Sequence, residues 1–229
     1  MFAFVKWWSH RPWMYLMTAV GAAVAIALVA NWGDWTIQRG LLAGSVIVLV
    51  LHVWEEWRFP GGLHYVYNRL MGGNDNDAAD RYPMSELTDS LTNLGGTLAG
   101  AAAVVWAGDS WPAAITVALV CLLESIVHPL VGLRFRKQFR TVYNPGLFTT
   151  ALGFLPLTIA YIVLFSTGAV ANGWDWVIGI VVFAVVIFIF LRGPELLFAD
   201  RESKYPFPSD GFYARFATDG VSRLDRDEG

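Results

Sequence analysis

His52-Val53-Trp54-Glu55-Glu56-Trp57-Arg58-Phe59-Pro60-Gly61-Gly62 closes an apolar run that begins near Gly40. At about 100° per residue, a helix through this stretch holds His52, Glu55 and Glu56 within an arc of about 100°. Ionisable side chains gathered on one face at membrane depth are costly, and by default they mark a functional site. Pro60, Gly61 and Gly62 then stop the helix. The rest of the chain is best read by asking what surrounds this helix and what meets its polar face.

The chain has 229 residues, 55% of them hydrophobic and only 15% charged, with a mean hydropathy of +0.47. That is too apolar for an ordinary soluble domain and implies several membrane spans. Six apolar runs of about 18 to 23 residues each match a hydrocarbon core about 30 Å thick. They cover 13–30, 39–57, 86–107, 112–131, 146–168 and 174–192. The first run begins like a signal peptide, but it is long enough to span and lacks a convincing small-residue cleavage site, so it reads as a retained span. Of the 16 Lys and Arg residues, all but Arg39 fall in the linkers of one side. The positive-inside rule then puts both termini in the cytoplasm, with short Trp-rich turns such as Asn31–Trp35 on the outer face. The expected fold is all-α: a polytopic bundle of six transmembrane helices over 1–192, then a polar cytoplasmic tail over 193–229. The expected location is a cytoplasmic membrane of bacterial type.

This topology collects the polar residues of the spans at one depth, near the inner leaflet. The third span begins there with Ser85, Glu86, Asp89 and Asn93, the fourth ends there with Glu124 and His128, and the fifth begins after Tyr143-Asn144-Pro145-Gly146. Polar accidents would scatter between both ends of the bundle, whereas here the outer half is almost purely apolar. His52, Glu55, Glu56, Glu124 and His128 are the candidate metal ligands; Glu55, Glu56 and Asp89 are the candidate catalytic carboxylates. Paired His and carboxylate ligands on facing helices hold dinuclear iron or manganese in bundle proteins, and one zinc with three or four of these ligands is the other option. The expected cofactor is a divalent ion, iron or zinc. Cys121 is the single cysteine, which rules out a multi-cysteine zinc site.

Asn93 and Asn144 are candidates for holding substrate or orienting ligands, although Asn144 before Pro145 reads first as a helix cap. Arg136 and Arg140, in the basic aromatic linker 135–140, are candidates for a substrate head group, although topology and lipid contact explain them as well. His64 reads as a surface residue of a short amphipathic helix, Leu63–Met71, and His10 as an interface residue. Ser85 reads as a helix cap. Gly40/Gly44 and Gly96/Gly100 suit close helix packing within the monomer, and an oligomer is compatible with them. The loop Gly72–Asp77 carries no complete metal motif.

His52-Val53-Trp54-Glu55-Glu56, followed by Phe59-Pro60-Gly61-Gly62, the Glu124…His128 pair and Tyr143-Asn144-Pro145-Gly146, resembles the HXXEE family of small integral membrane proteins over about residues 41–165. No established activity comes with that resemblance. From the residues themselves, the expected function is that of a metal-dependent membrane enzyme acting on a lipidic substrate at the cytoplasmic leaflet, by hydrolysis or by di-iron-type oxidation. The expected partners are membrane lipids and that substrate; nothing points to nucleic acid. The alternatives are a proton-coupled transporter, for which the apolar outer half offers no path, and a non-catalytic scaffold subunit.

Overall fold

The computed structural model describes residues 2–10, 12–71, 78–167, 171–218 and 221–222. The loop 72–77, Arg11, Arg223 and Arg226 lie outside the described residues. The described chain is helical apart from a two-residue ribbon, β1 (Ala217–Thr218) with β2 (Val221–Ser222). Its helices are α1 (Phe2–His10), α2 (Pro12–Ala30), α3 (Ile37–Trp57), α4 (Leu63–Met71), α5 (Glu86–Ala107), α6 (Trp111–Phe139), α7 (Leu147–Ser166) and α8 (Gly173–Phe198). Of these, α2, α3, α6, α7 and α8 are long and apolar enough to cross a membrane. These five helices make the chain an integral membrane protein in character. With 22 residues α5 has the length, but its Thr, Asn and Gly residues make it less apolar than those five.

The helix that ends in the polar stretch, α3, lies at the centre. Its Val50, Val53 and Trp57 pack against Trp13, Met14 and Met17 of α2. Its Leu42, Ala43 and Val46 pack against Val24 of α2 and Val104 of α5. On the far side, Ala114 and Cys121 of α6 meet Phe154, Tyr161 and Leu164 of α7. By contrast α8 is only 6% buried along its apolar window, an exterior that hydrocarbon tolerates and water does not. Thr36 Oγ1 donates to Asp109 Oδ1 at 2.6 Å and Arg39 pairs with Asp109 Oδ2 at 2.6 Å, so the turns before α3 and before α6 are fastened at the same end.

Three boundaries differ from those read in the sequence. The basic segment taken as a linker, 134–139, is the end of α6, which runs on to a left-handed cap at Arg140. Phe135 and Phe139, one turn apart, are buried against Tyr65, Val66 and Tyr213, and this packing prolongs the helix beyond its apolar run. Likewise α8 continues past Arg192 to Phe198 and buries Pro194 and Glu195. Helix α7 begins at Leu147 with Gly146 as its cap in the left-handed conformation, and no side chain caps it from Asn144. Ser85 does cap α5, in a reciprocal box with Thr88.

His64 is a correction: it is buried, not on the surface. The segment Tyr205–Pro208 folds back over α4, so His64 stacks on Phe207 (ring centroids 4.1 Å apart) beside Trp57. Tyr205 O and Phe207 N close this strap through hydrogen bonds to Glu86 N and Asp80 O. The glycine pairs are only half used for packing. A Cβ at Gly100 would press on Val46 and one at Gly44 would touch Leu157, but Gly40 and Gly96 face open space.

Burial pushes the His64 imidazole below its ordinary pKa, against the pull of the Asp210 carboxylate 3.9 Å away. The unfolded chain takes up this proton at about pH 6.5, whereas the folded chain resists it until lower pH. The stability linked to His64 is therefore complete above about pH 6.5 and is lost as pH falls toward the folded value. Between about pH 7.5 and about pH 5 the melting temperature of the wild type should fall more steeply than that of His64→Gln. Parallel curves would refute this account.

Candidate metal centre

Two helix faces meet at the end of α3. His52 and Glu56 stand one turn apart on α3, and Glu124 and His128 one turn apart on α6, so each pair lies along one ridge of its helix. Glu56 Oε1 lies 2.9 Å from His52 Nε2 and 3.2 Å from His128 Nε2. Glu124 Oε2 lies 3.4 Å from His128 Nε2 and 3.7 Å from His52 Nε2. The two imidazoles are perpendicular with centroids 4.7 Å apart, and they are 2% and 3% exposed. One atom each from His52, Glu124 and His128 lie within 4.8 Å of one another, a buried His/Glu/His cluster that could hold a metal ion.

The outer nitrogens of both rings are held in ways that decide where their protons sit. Asn144 Nδ2 donates to the His128 backbone oxygen at 2.9 Å, so its Oδ1, 2.7 Å from His128 Nδ1, must accept from that ring. Thr149 Oγ1 lies 2.8 Å from His52 Nδ1 and sends its own proton to Glu55 Oε2 at 2.6 Å, so it too accepts from the imidazole. In the neutral rings both Nδ1 atoms are then donors and both Nε2 atoms carry lone pairs into the space between α3 and α6. The groups facing those lone pairs are carboxylates, which are also acceptors. His52 Nε2 makes no hydrogen bond there in spite of its short distance to Glu56. Four acceptors in contact require a cation among them, either protons or a metal. Imidazoles locked from behind with their free lone pairs converging are the usual outer support of a metal site.

Glu55 stands apart from this group. Its carboxylate accepts from Phe148 N (3.0 Å), Thr149 N (2.7 Å), Thr149 Oγ1 (2.6 Å) and Tyr143 Oη (2.9 Å). It therefore caps the start of α7 from a neighbouring helix. The sequence places Glu55 and Glu56 together as ligands, but neighbours on a helix diverge by about 100°. Glu56 faces α6 and Glu55 faces α7. Glu55 acts on the cluster only through Thr149, as a positioning residue.

The remaining candidates lie at different distances from the cluster. Asp89 is buried, accepts from Asn93 Nδ2 at 2.5 Å and lines a small cavity with His10, Arg58 and His64, close enough to Glu56 for the two carboxylates to repel. Glu86 pairs with His10 at 2.9 Å. Asn93 lines a larger cavity that also reaches Glu56, Glu124 and His128. Arg136 and Arg140 are exposed, more than two turns beyond His128 along α6, and are not brought to the cluster. Thr149 and Phe154 were not legible as parts of the site, and Tyr143 was read only as part of the block before the fifth span. Thr149 follows the Asn144-Pro145-Gly146 block by three residues, which is the only cue it offers. Phe154 closes a π-turn over Thr150–Phe154 and meets the His52 ring edge-on at 5.0 Å; such turns recur at functional sites.

Residues 43–161 match the model of a family described as protein of unknown function with HXXEE motif, just over half of the chain. The chain belongs to the HXXEE family. No curated protein and no solved structure matches it. The three lettered residues of the HXXEE motif are thus His52, Glu55 and Glu56, and the structure divides their work. His52 and Glu56 enter the cluster, while Glu55 fastens the helix that carries Thr149. The matched segment also contains Glu124, His128, Asn144 and Gly146.

Gly146 is a tight point of this support. Its φ is +100°, and a Cβ there would overlap the His128 ring. Gly146→Ala should cost about 1–3 kcal/mol in backbone strain alone, read as a loss in unfolding free energy in detergent. A change within about 0.5 kcal/mol, as an ordinary surface substitution gives, would mean that the loop is not held against His128.

Proposed function

We propose that this HXXEE protein is a metal-dependent membrane hydrolase acting on a lipidic substrate at the cytoplasmic leaflet. The observation that carries the reading is the set of four inward-facing acceptors with both imidazoles locked from behind. His52, His128 and Glu124 supply a two-His, one-carboxylate set of the kind that catalytic zinc sites use, with a further position left for water or substrate. Such an ion, when bound, would polarise a carbonyl and activate water. Glu56, in contact with both imidazoles, is placed to take the proton from that water and return it to the leaving group. Zinc suits this ligand set best and ferrous iron is the second choice. Dinuclear oxidative centres in bundles draw on four carboxylates and two His. Here Glu55 is engaged with α7 and Asp89 with Asn93, which leaves two carboxylates and favours a single ion and hydrolysis.

The proposed topology has α5 as a sixth span and both termini in the cytoplasm. The grouping of basic residues supports it, as does the packing of α5 between α2 and α3, which turns its polar side chains inward. This sets the cluster at the depth of inner-leaflet head groups. A fluorescent protein fused after Gly229 should fluoresce; activity of an exported phosphatase at that position would overturn the orientation.

Purified protein loaded with zinc or ferrous iron and freed of excess should retain about one ion per chain, and His128→Ala much less. Thr149→Val, which touches no ion, should weaken metal affinity about 10- to 100-fold through the loss of the His52 support, measured by competition with a chelator. Wild type holding less than about a third of an ion per chain, or His128→Ala holding as much as wild type, would end the metal reading.

A further inference from the structure

The cavity that reaches the cluster extends well beyond it. It is a partly open cleft of about 690 Å³ between α3, α5, α6 and α8, within the range of about 300–1,000 Å³ typical of ligand sites. Its lining is overwhelmingly apolar, and its ionisable groups on α3 and α6 are Glu56, Glu124, His128 and the free thiol of Cys121. Along α5 it follows a single face through Asn93, Gly96, Gly100, Ala103 and Ala107, one small residue per turn. Along α6 it runs from His128 back to Pro112, and Val182, Val186 and Phe190 of α8 close the third side. Gly96 is not absorbed by packing, since a Cβ there would find no atom within 4 Å. At Gly96 the stripe therefore lines real space, and at Gly100 it narrows where Val46 of α3 packs beside it.

The cluster sits near one end of this space. In the direction of the α6 C-terminus the cavity passes His128 by only one turn, to Val131, before it meets Tyr67 and Leu70 of α4. Tyr67 is held there by a hydrogen bond to Glu195, which pairs with Arg192. In the other direction the stripe continues from Asn93 to Ala107, fourteen residues or about 21 Å at 1.5 Å per residue. An extended alkyl chain advances about 1.25 Å per carbon, from a C–C bond of about 1.52 Å and an angle of about 111°. The length available beyond the cluster is thus about 17 carbons.

We propose that this cavity is a channel for one unbranched acyl chain, whose carbonyl end lies at His128, Glu124 and Glu56. The small side chains from Gly96 to Ala107 make it a ruler for chain length. The inference rests on the hydrolase reading for its chemistry but not for its geometry. It specifies the substrate as a single-chain acyl ester or amide cut at the head end. Water adds across the acyl linkage, the acid leaves on the chain side and the alcohol or amine on the other.

Fatty acids bearing a photoreactive diazirine on the terminal carbon test the ruler directly, with the full chain in lipid nanodiscs and crosslinks mapped by peptide mass spectrometry. Hexadecanoic acid should label α5 near Ala107 and the start of α6 near Pro112; decanoic acid should label near Gly100. Ala103→Leu should abolish the hexadecanoic label at Ala107 and keep the decanoic one. Gly96→Leu, added where there is room for it, should abolish both while the protein stays folded by circular dichroism. Labelling spread over exposed lipid-facing residues such as Val181 and Val185, regardless of probe length, would overturn the channel and indicate annular lipid only. Metal content measured on the same samples separates the two readings. In-register labelling without metal keeps the ruler and removes the hydrolase, whereas metal without register does the reverse.

Discussion

Glu55 reaches from the end of α3 to the start of α7 and accepts hydrogen bonds from two amides and two hydroxyls there. The first amides of any helix lack partners within it, and in an apolar bundle water is not at hand to supply them. Each such amide left unmet would cost about 1–3 kcal/mol. A single carboxylate from another helix meets them, favoured also by the positive end of the α7 dipole. This contact fixes how α7 enters the bundle, and the site follows from it. Thr149 sits in the same first turn, its hydroxyl is oriented by Glu55, and it then holds the outer nitrogen of His52.

His128 is held by a parallel device built from different parts. Gly146 lets the chain pass against the imidazole, and Asn144 folds back along α6 to take its Nδ1 proton. Both rings thus arrive from separate helices with their orientation set by groups that lie outside the cluster. The cost of gathering His52, Glu56, Glu124 and His128 in a dry place is offset only if a cation sits among them. That requirement, met by protons or by a metal, links the packing of α7 to the state of the cluster, and one glutamate of the motif serves a helix terminus instead of the cluster.

The two sides of α3 are asymmetric in a useful way. On the side of α2, large side chains such as Trp13, Met17 and Trp57 fill the space. Toward α5, α6 and α8, glycine and alanine leave a long apolar cavity that passes the cluster and continues to α4. The small cavity, with His10, Arg58, Asp89 and His64, is lined by polar and apolar groups alike and is covered by the strap around Phe207.

The apolar runs and the grouping of charged residues at one depth were legible without coordinates, because hydrocarbon thickness sets helix length and ionisable groups avoid lipid. That His52, Glu56, Glu124 and His128 could converge was legible too, since i, i+4 spacing puts each pair on one face wherever the helix goes. Which neighbour each face meets was not. Adjacent Glu55 and Glu56 point to different helices, and only packing shows that one anchors α7 and the other joins the imidazoles. Thr149 gave no local sign of its role, because its partners lie 94 and 97 residues away in the chain. The burial of His64 depended on a strap more than a hundred residues downstream, and the open space at Gly96 depended on what three other helices leave unfilled. Local spacing determines faces, and tertiary contacts alone decide what those faces touch.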